Sequence, residues 1–353
     1  MYSKTREYHG WGRYRKMTLN RQYRLARYPK GLPQADDWTL CEQPLGVPQG
    51  GELLVKVCYI SIDPAMRGWL SPGKSYLPPV AIGEVMRAAG VGEVVISRHP
   101  AFEVGDLVSG LFGVQSYSII SGERAVIVDP GLGPLPKHLS VFGMTGLTAY
   151  FGLMRVGQPK PGDTVVVSSA AGAVGSIVGQ IAKIVGCRVV GIAGGKRKCA
   201  YVTDELGFDA CIDYRRGPIF TGLARYCPEG VDVYFDNVGG EILDAVLTRL
   251  RMNARIVICG AISQINSTSG AEGPRNYLSL LVNRARMEGF VVFDFEPEYA
   301  HAVVQLGQWA ASGQLKSDED IVEGMTAFPT TILKLFSGEN FGKLMLHIDE
   351  HAG

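Results

Sequence analysis

No stretch of this chain stays apolar for the roughly 20 residues that a membrane-spanning helix needs. An excess of one charge is missing as well: 35 basic residues stand against 34 acidic ones, a formal net charge of +1. That balance offers no footing for a polyanionic partner such as nucleic acid. Paired cysteines are absent. The seven present, Cys41, Cys58, Cys187, Cys199, Cys211, Cys227 and Cys259, are odd in number and scattered. They exclude a disulfide framework and read as the reduced thiols of a cytosolic protein. The six histidines have no ligand-like spacing beyond His347 and His351 near the C-terminal end. With no adjacent acid–Cys–His set, a tetrahedral metal site is not expected. Internal repeats and low-complexity segments are missing too.

What is there is a globular composition, 46% hydrophobic and 20% charged, over 353 residues. That is enough for two domains and a large core. Residues 1–16, MYSKTREYHGWGRYRK, are basic and aromatic and lack an apolar h-region, so they are not a secretory signal. They read as an upstream extension, expected to be disordered. Residues 17–137 are strand-rich. LLVKVCYISIDP, from Leu53 to Pro64, runs apolar and β-branched, and Gly105-Asp106 is a tight-turn pair between two short strands. A small β-barrel-like domain is expected there.

After Leu139 the pattern alternates. Strands are expected at Thr164–Ser168, Arg188–Ala193, Ala210–Asp213, Asp232–Asp236, Arg255–Cys259 and Glu288–Phe293. Helices are expected at 174–185, 196–206, 240–251 and 276–286. Short apolar strands alternating with amphipathic helices predict a parallel, doubly wound sheet over 138–309. The tail, 310–353, is expected to hold one more helix and a strand, Lys343–Ile348, and to return to the β domain.

The segment VVVSSAAGAVGSIVGQIAKIVG, from Val165 to Gly186, carries the first functional signal. It reads as strand, glycine turn and helix. Gly172, for close approach of a phosphate, and Gly175, for close helix–strand packing, sit at dinucleotide-fingerprint spacing, with Ala170 in place of the first glycine. Ala is tolerable there if φ is negative. A NAD site wants an acid about 20 residues on. Here GIAGGKRKC follows instead, and Lys196, Arg197 and Lys198 suit a 2′-phosphate, so NADP(H) is the expected cofactor.

Nine stretches in order give the chain a resemblance: SIDPAMRGWL, VGDLVSG, GMTGLTAYFGL, AAGAVGSIVGQIAK, AGGKRKC, YFDNVGGEILD, ICGAISQ, GFVVFDF and GENFGKLML. It resembles the zinc-independent medium-chain dehydrogenases/reductases, in the branch of leukotriene B4 dehydrogenase/prostaglandin reductase and curcumin reductase, from about Met17 to Ile348. The resemblance implies an α/β protein with a GroES-like β-barrel domain, a Rossmann domain and a homodimer. It implies that Gly172, Ala173, Val174 and Gly175 take the pyrophosphate, and that Lys198 and Tyr214 hold the 2′-phosphate end. Asn237, Cys259, Gly260, Ala261, Ile262, Ser263 and Ile265 would line the nicotinamide ribose. Phe290, Val291 and Val292, with Asn340, would reach the nicotinamide. Zinc relatives carry a Cys near Asp63 and a His within Gly83-Glu84, and neither is present.

Hydride transfer without zinc suits a reaction whose developing charge is mild. Conjugate reduction of an α,β-unsaturated ketone or aldehyde fits, because its enolate needs only hydrogen-bond donors. A zinc-free quinone reductase and a non-enzymatic NADPH-binding relative are the alternatives. The branch reads S-x-Y-N after the CGAI strand, and this chain reads Ser263-Gln264-Ile265-Asn266. Ile265 has no hydroxyl. Tyr76 in GKSYLPP, Tyr59 and the cofactor's ribose hydroxyl are the candidates to replace it, with Tyr76 the preferred catalytic residue. Trp69, Leu70, Tyr76, Leu77 and Pro78 suggest a hydrophobic enone as substrate.

Overall fold

A computed structural model describes residues 19–73 and 75–348. The expected extension over 1–16, and His351, lie outside them.

The N-terminal half is built of antiparallel strands. β1 (Leu19–Leu25) and β2 (Trp38–Pro44) form a ribbon. β3 (Glu52–Ser61), β4 (Gly90–Ser97) and β5 (Leu107–Gly110) follow, then β6 (Tyr117–Ser121) and β7 (Val126–Ile127). β3 is the hub, pairing with both β4 and β6. Its residues Leu53, Val55, Val57 and Ile60 are fully buried, which is why the stretch is almost continuously apolar.

From Thr164 the chain alternates strand and helix. β8 (Thr164–Ser168), β9 (Arg188–Ala193), β10 (Ala210–Asp213), β11 (Val231–Asp236), β12 (Leu250–Ile258) and β13 (Arg286–Gly289) form one parallel sheet in the order β10-β9-β8-β11-β12-β13. The order reverses direction beside β8, the place where open α/β sheets leave a crevice at the carboxyl ends of their strands. The helix Ala173–Ile184 lays Ile177, Val178, Ile181 and Ala182 on the sheet, as its apolar stripe requires.

The chain then crosses back. β14 (Glu319–Glu323) runs parallel to β15 (Lys343–His347), and β15 pairs antiparallel with β3. Gly342, just before β15, donates its N–H to the Ala171 carbonyl at 2.9 Å. Its φ is +57°, and a Cβ there would stand 2.1 Å from the Asp318 carbonyl, so only glycine fits.

The structure departs from the expected elements in several places, and the strand expected at Arg255–Cys259 begins already at Leu250. Helix 240–251 stops at Leu247, because Leu250 already pairs in β12. Helix 196–206 is α only to Ala200 and widens into a π turn over Tyr201–Glu205. Helix 276–286 contracts to Leu278–Asn283. The last parallel strand lies at Arg286–Gly289, so Phe290–Val292 leave the sheet rather than continue it. The boundary at 309/310 falls inside the helix Tyr299–Ala311, whose Ala302 and Leu306 pack with the cofactor-side core. Three longer helices went unforeseen besides the four-residue helix Ala65–Gly68: Met144–Phe151, Ile219–Tyr226 and Tyr299–Ala311. The first is buried almost all round, which erases the amphipathic signal.

Candidate functional site

The turn after β8 is shaped by backbone crowding. Ser169, not Ala170, takes the left-handed conformation, with φ of +53°. Ala170 is fully buried, and its N–H bonds the Ile192 carbonyl at 3.1 Å. The missing first glycine therefore costs nothing. A Cβ on Gly175 would stand 2.3 Å from the Ser169 carbonyl, and one on Gly172 would stand 2.7 Å from Ser169 Oγ. The helix that starts here has no side-chain cap. The N–H groups of Ala173, Val174 and Gly175 have no acceptor within the helix, which makes an anion cradle.

A groove of about 490 Å³ lies beside it, lined by Gly194 to Lys198, Arg215, Ser337 to Glu339 and Phe341. Lys198 Nζ reaches the Gly338 carbonyl at 2.8 Å and stands 5.3 Å from the centre of the Phe341 ring. Arg197 lies over the same ring at 4.6 Å. Burial, and then the charge of Arg215, lower the Lys198 pKa. Tyr214 sets its ring against Gly194, where a Cβ would meet its hydroxyl at 2.7 Å. Glu339 is the acid in the lining, and Asp213 stands at the neighbouring turn. Its Oδ1 accepts from the N–H groups of Gly195 at 2.8 Å and Arg215 at 3.1 Å, so it shapes the turn. Sequence reasoning missed Arg215 and Phe341. The RRG run after ACIDY was the available signal for the arginine. The groove's cations, with Gly172 and Gly175 leaving the helix N-terminus open, fit NADP(H).

The ends of β11 and β12 are stitched together. Asp236, almost wholly buried, accepts at one oxygen from Ser168 Oγ (3.1 Å), Tyr234 Oη (2.8 Å) and the N–H groups of Val238 and Gly239 (both 2.9 Å). Burial raises its pKa, against the pull of those donors. Asn237 Nδ2 donates to the Ser168 carbonyl at 2.8 Å, which brings it beside the glycine turn. Cys259 and Gly260 donate to the Asp236 carbonyl, and Ile262 and Ser263 to Asn237 and Val238. Ser263 Oγ is occupied by the Val238 carbonyl at 2.6 Å. Burial, with Asp236 adding to it, pushes the Cys259 thiol up to about 12, so it is inert at neutral pH. Phe290 points into the core, where it would meet a Cβ on Gly152, and packs edge-on to Phe235. The Val292 carbonyl accepts from Tyr299 Oη at 3.0 Å. Asn340 Nδ2 bonds the Gly342 carbonyl at 3.2 Å, next to the turn.

On the N-terminal side, Tyr76 is 53% exposed, and its ring lies 6.3 Å from that of Phe293 across the junction of the two halves. Burial raises its pKa, a side-chain hydrogen bond with Trp69 pulls the other way, and the charges of Asp63 and Cys259 add to the rise. Tyr59 stacks on His347 at 4.6 Å instead. Trp69 is nearly buried, with its side chain beside Tyr76. Leu70 is wholly in the core of the N-terminal half and offers no surface to a substrate. At the position compared with a zinc cysteine, Asp63 is bonded to Lys343 Nζ through one oxygen and to Ser61 Oγ through the other. Glu84 is spent on the Ala81 N–H at 2.9 Å. Among the described residues, no group of three or more His, Cys, Asp or Glu is placed to hold a metal ion. The donor set does not fit zinc.

Residues 21–128 match the family described as the N-terminal domain of oxidoreductase, and residues 173–309 match that described as zinc-binding dehydrogenase. The NADPH-dependent curcumin reductase of Escherichia coli is 41% identical over 93% of this chain and 97% of its own length. The 2-alkenal reductase (NADP(+)-dependent) of Nicotiana tabacum is 40% identical over 93% of this chain and 97% of its own. The crystal structure of CurA in complex with NADPH from Vibrio vulnificus superposes with a TM-score of 0.88. It is 44% identical and covers 94% of this chain and 99% of that one.

Proposed function

This chain belongs to the medium-chain dehydrogenases/reductases, in the branch of the curcumin, alkenal and prostaglandin reductases, and on that premise we propose that it reduces the C=C bond of hydrophobic α,β-unsaturated ketones and aldehydes. The observation that carries the reading is likeness over nearly the whole chain to reductases of that kind, joined to a groove of four cations that suits NADPH. When bound, NADPH supplies a hydride to the β-carbon of the enone.

The chain's own residues supply the rest. The N–H groups of Ala173, Val174 and Gly175 hold the pyrophosphate. Lys198 and Tyr214, with Arg197 and Arg215, hold the 2′-phosphate through charge-assisted hydrogen bonds. Asn237, Cys259 to Ser263, Ile265, Phe290 to Val292 and Asn340 shape the nicotinamide end. Tyr76 holds a proton at its Oη and offers it to the enone oxygen, taking the place of the hydroxyl that Ile265 lacks. No step needs a metal.

The same reading takes residues 17–137 and the returning tail as the substrate domain, and 138–309 as the cofactor domain. It places the protein in the cytosol; among the described residues no helix is long and apolar enough to cross a membrane. It also makes the protein a homodimer. β13 is a free edge of the six-stranded sheet, and Tyr277, Leu278, Leu281 and Val282 beside it are large, apolar and exposed. A second copy would extend the sheet and cover them.

The test is NADPH and NADH consumption over enones of graded length with a quinone as control. Faster turnover of an enone with NADPH is the expected result. A quinone reduced faster than every enone would overturn the substrate class. Equal rates with NADH would overturn the role of Lys198.

A further inference from the structure

Arg67, in the short helix Ala65–Gly68, is 5% exposed, and among the described residues no carboxylate bonds it. Its guanidinium spends its donors on neutral oxygens from three separate segments. Nε bonds the Gly31 carbonyl at 3.0 Å and Asn266 Oδ1 at 3.1 Å. One terminal nitrogen bonds Ser71 Oγ at 2.8 Å, and the other reaches the Pro29 carbonyl at 3.4 Å. Asp37, the acid whose charge acts on it, is already paired with Arg27 at 2.7 Å. A buried cation without a counter-ion is expensive to keep, and a fold does not need one to join loops.

The segments it joins give the reason. Asn266 follows Ile265 on the cofactor-side loop. Ser71 opens the loop that carries Tyr76. We propose that Arg67 is a positioning residue that sets the width of the substrate cleft, by holding the Ile265 loop of one domain and the Tyr76 loop of the other on a single guanidinium. A planar fork with five donors can do this, whereas a lysine, a point charge on a flexible stem, cannot hold three segments at fixed angles. Arg67 thereby tunes selectivity between small and bulky enones without touching either. The proposal rests on the reading of this cleft as the enone site.

The experiment compares Arg67→Lys, Asn266→Ala and the double variant on a four-carbon enal and a diaryl enone, with NADPH affinity measured separately. Loss of hydrogen bonds to a charged group is expected to lower kcat/KM for the small enal about tenfold. The diaryl enone, which fills a wider cleft, is expected to lose less, and NADPH affinity to stay within about twofold. The double variant is expected to be no worse than Arg67→Lys alone, since Arg67→Lys already removes the contact that Asn266→Ala deletes. An equal loss on both substrates, or additive losses, overturns the proposal. Amide exchange over residues 261–270 supplies a readout that needs no turnover: it is expected to speed up in both single variants while β8 and β11 stay protected. If the wild type reduces no enone, the functional reading fails. Exchange then decides the tie by itself, and unchanged exchange overturns it.

Discussion

In the proposed reading, the glycine turn at 169–175 and the loop segment around Tyr76 serve one cleft from opposite domains, and they are built on opposite principles. The turn acts through backbone N–H groups. Its shape is dictated by where a Cβ will not fit, and any small residue serves elsewhere, as Ala170 does. The loop and its surroundings act through side chains: Tyr76 at the junction, Arg67 under it, and the Asp63–Lys343 pair behind it. A backbone site survives sequence change as long as its glycines remain. A side-chain site changes character with each substitution, which is how a chain with an intact cofactor turn arrives at Ile265.

The sharpest way to break this comparison is to remove a charge on the side-chain half. Lys343 is 2% exposed, and among the described residues its ammonium bonds Asp63 and the Ile62 carbonyl. Asp63→Asn leaves that ammonium buried without its partner, so we expect a loss of about 3–5 kcal/mol in unfolding free energy by denaturant titration. Adding Lys343→Met should restore most of it, because no buried charge is then left without its partner. If the double variant stays as unstable as the single one, the pair does more than neutralise itself.

Next in size is Lys198→Ala on the backbone half. Loss of a charge-assisted contact to the 2′-phosphate should raise the NADPH dissociation constant by about 10- to 100-fold and leave NADH binding unchanged. Fluorescence titration with both cofactors reads it, and a parallel loss for NADH would mean that Lys198 supports the fold instead, through its bond to Gly338.

This contrast explains what could be read in advance. β8, β9 and β10 were predicted to the residue, since period and length identify short apolar parallel strands. Lys198 stood out because cations at a helix start oppose its dipole. Arg215 did not, since it joins the groove from the end of another strand and only the fold brings it there. Arg67 and Lys343 were illegible for the same reason. Their partners lie 199 and 280 residues away, and no local pattern marks a contact of that range.

Tyr76→Phe tests the loop more gently. We expect kcat to fall about tenfold with KM for NADPH unchanged, the loss of one donor to a developing anion. The pH dependence has a definite sign. Burial raises the Tyr76 pKa from its ordinary phenolic value, more than the Trp69 hydrogen bond lowers it, so the hydroxyl keeps its proton through neutral and mildly alkaline pH and donates throughout. Rate should fall only above pH 10, and that alkaline limb should vanish in the Phe variant. A limb that persists belongs to another group.

The smallest effect expected is a gain. Ile265 is half-buried on the loop that Arg67 holds, so a tyrosine there needs only modest rearrangement of its surroundings. Ile265→Tyr would place a second hydroxyl opposite Tyr76. With Tyr76 already donating, the second donor adds less than the first, and we expect kcat for an enone to rise by roughly threefold in the wild-type background. In the Tyr76→Phe background the same change should recover most of the lost rate, because one donor then replaces another. That difference between backgrounds is the informative quantity. Equal gains in both would mean that the two hydroxyls serve separate steps, oxygen binding and proton delivery to the α-carbon. No gain in either would mean that the enone oxygen is met by neither, and that the side-chain half of this cleft recognises its substrate by shape alone.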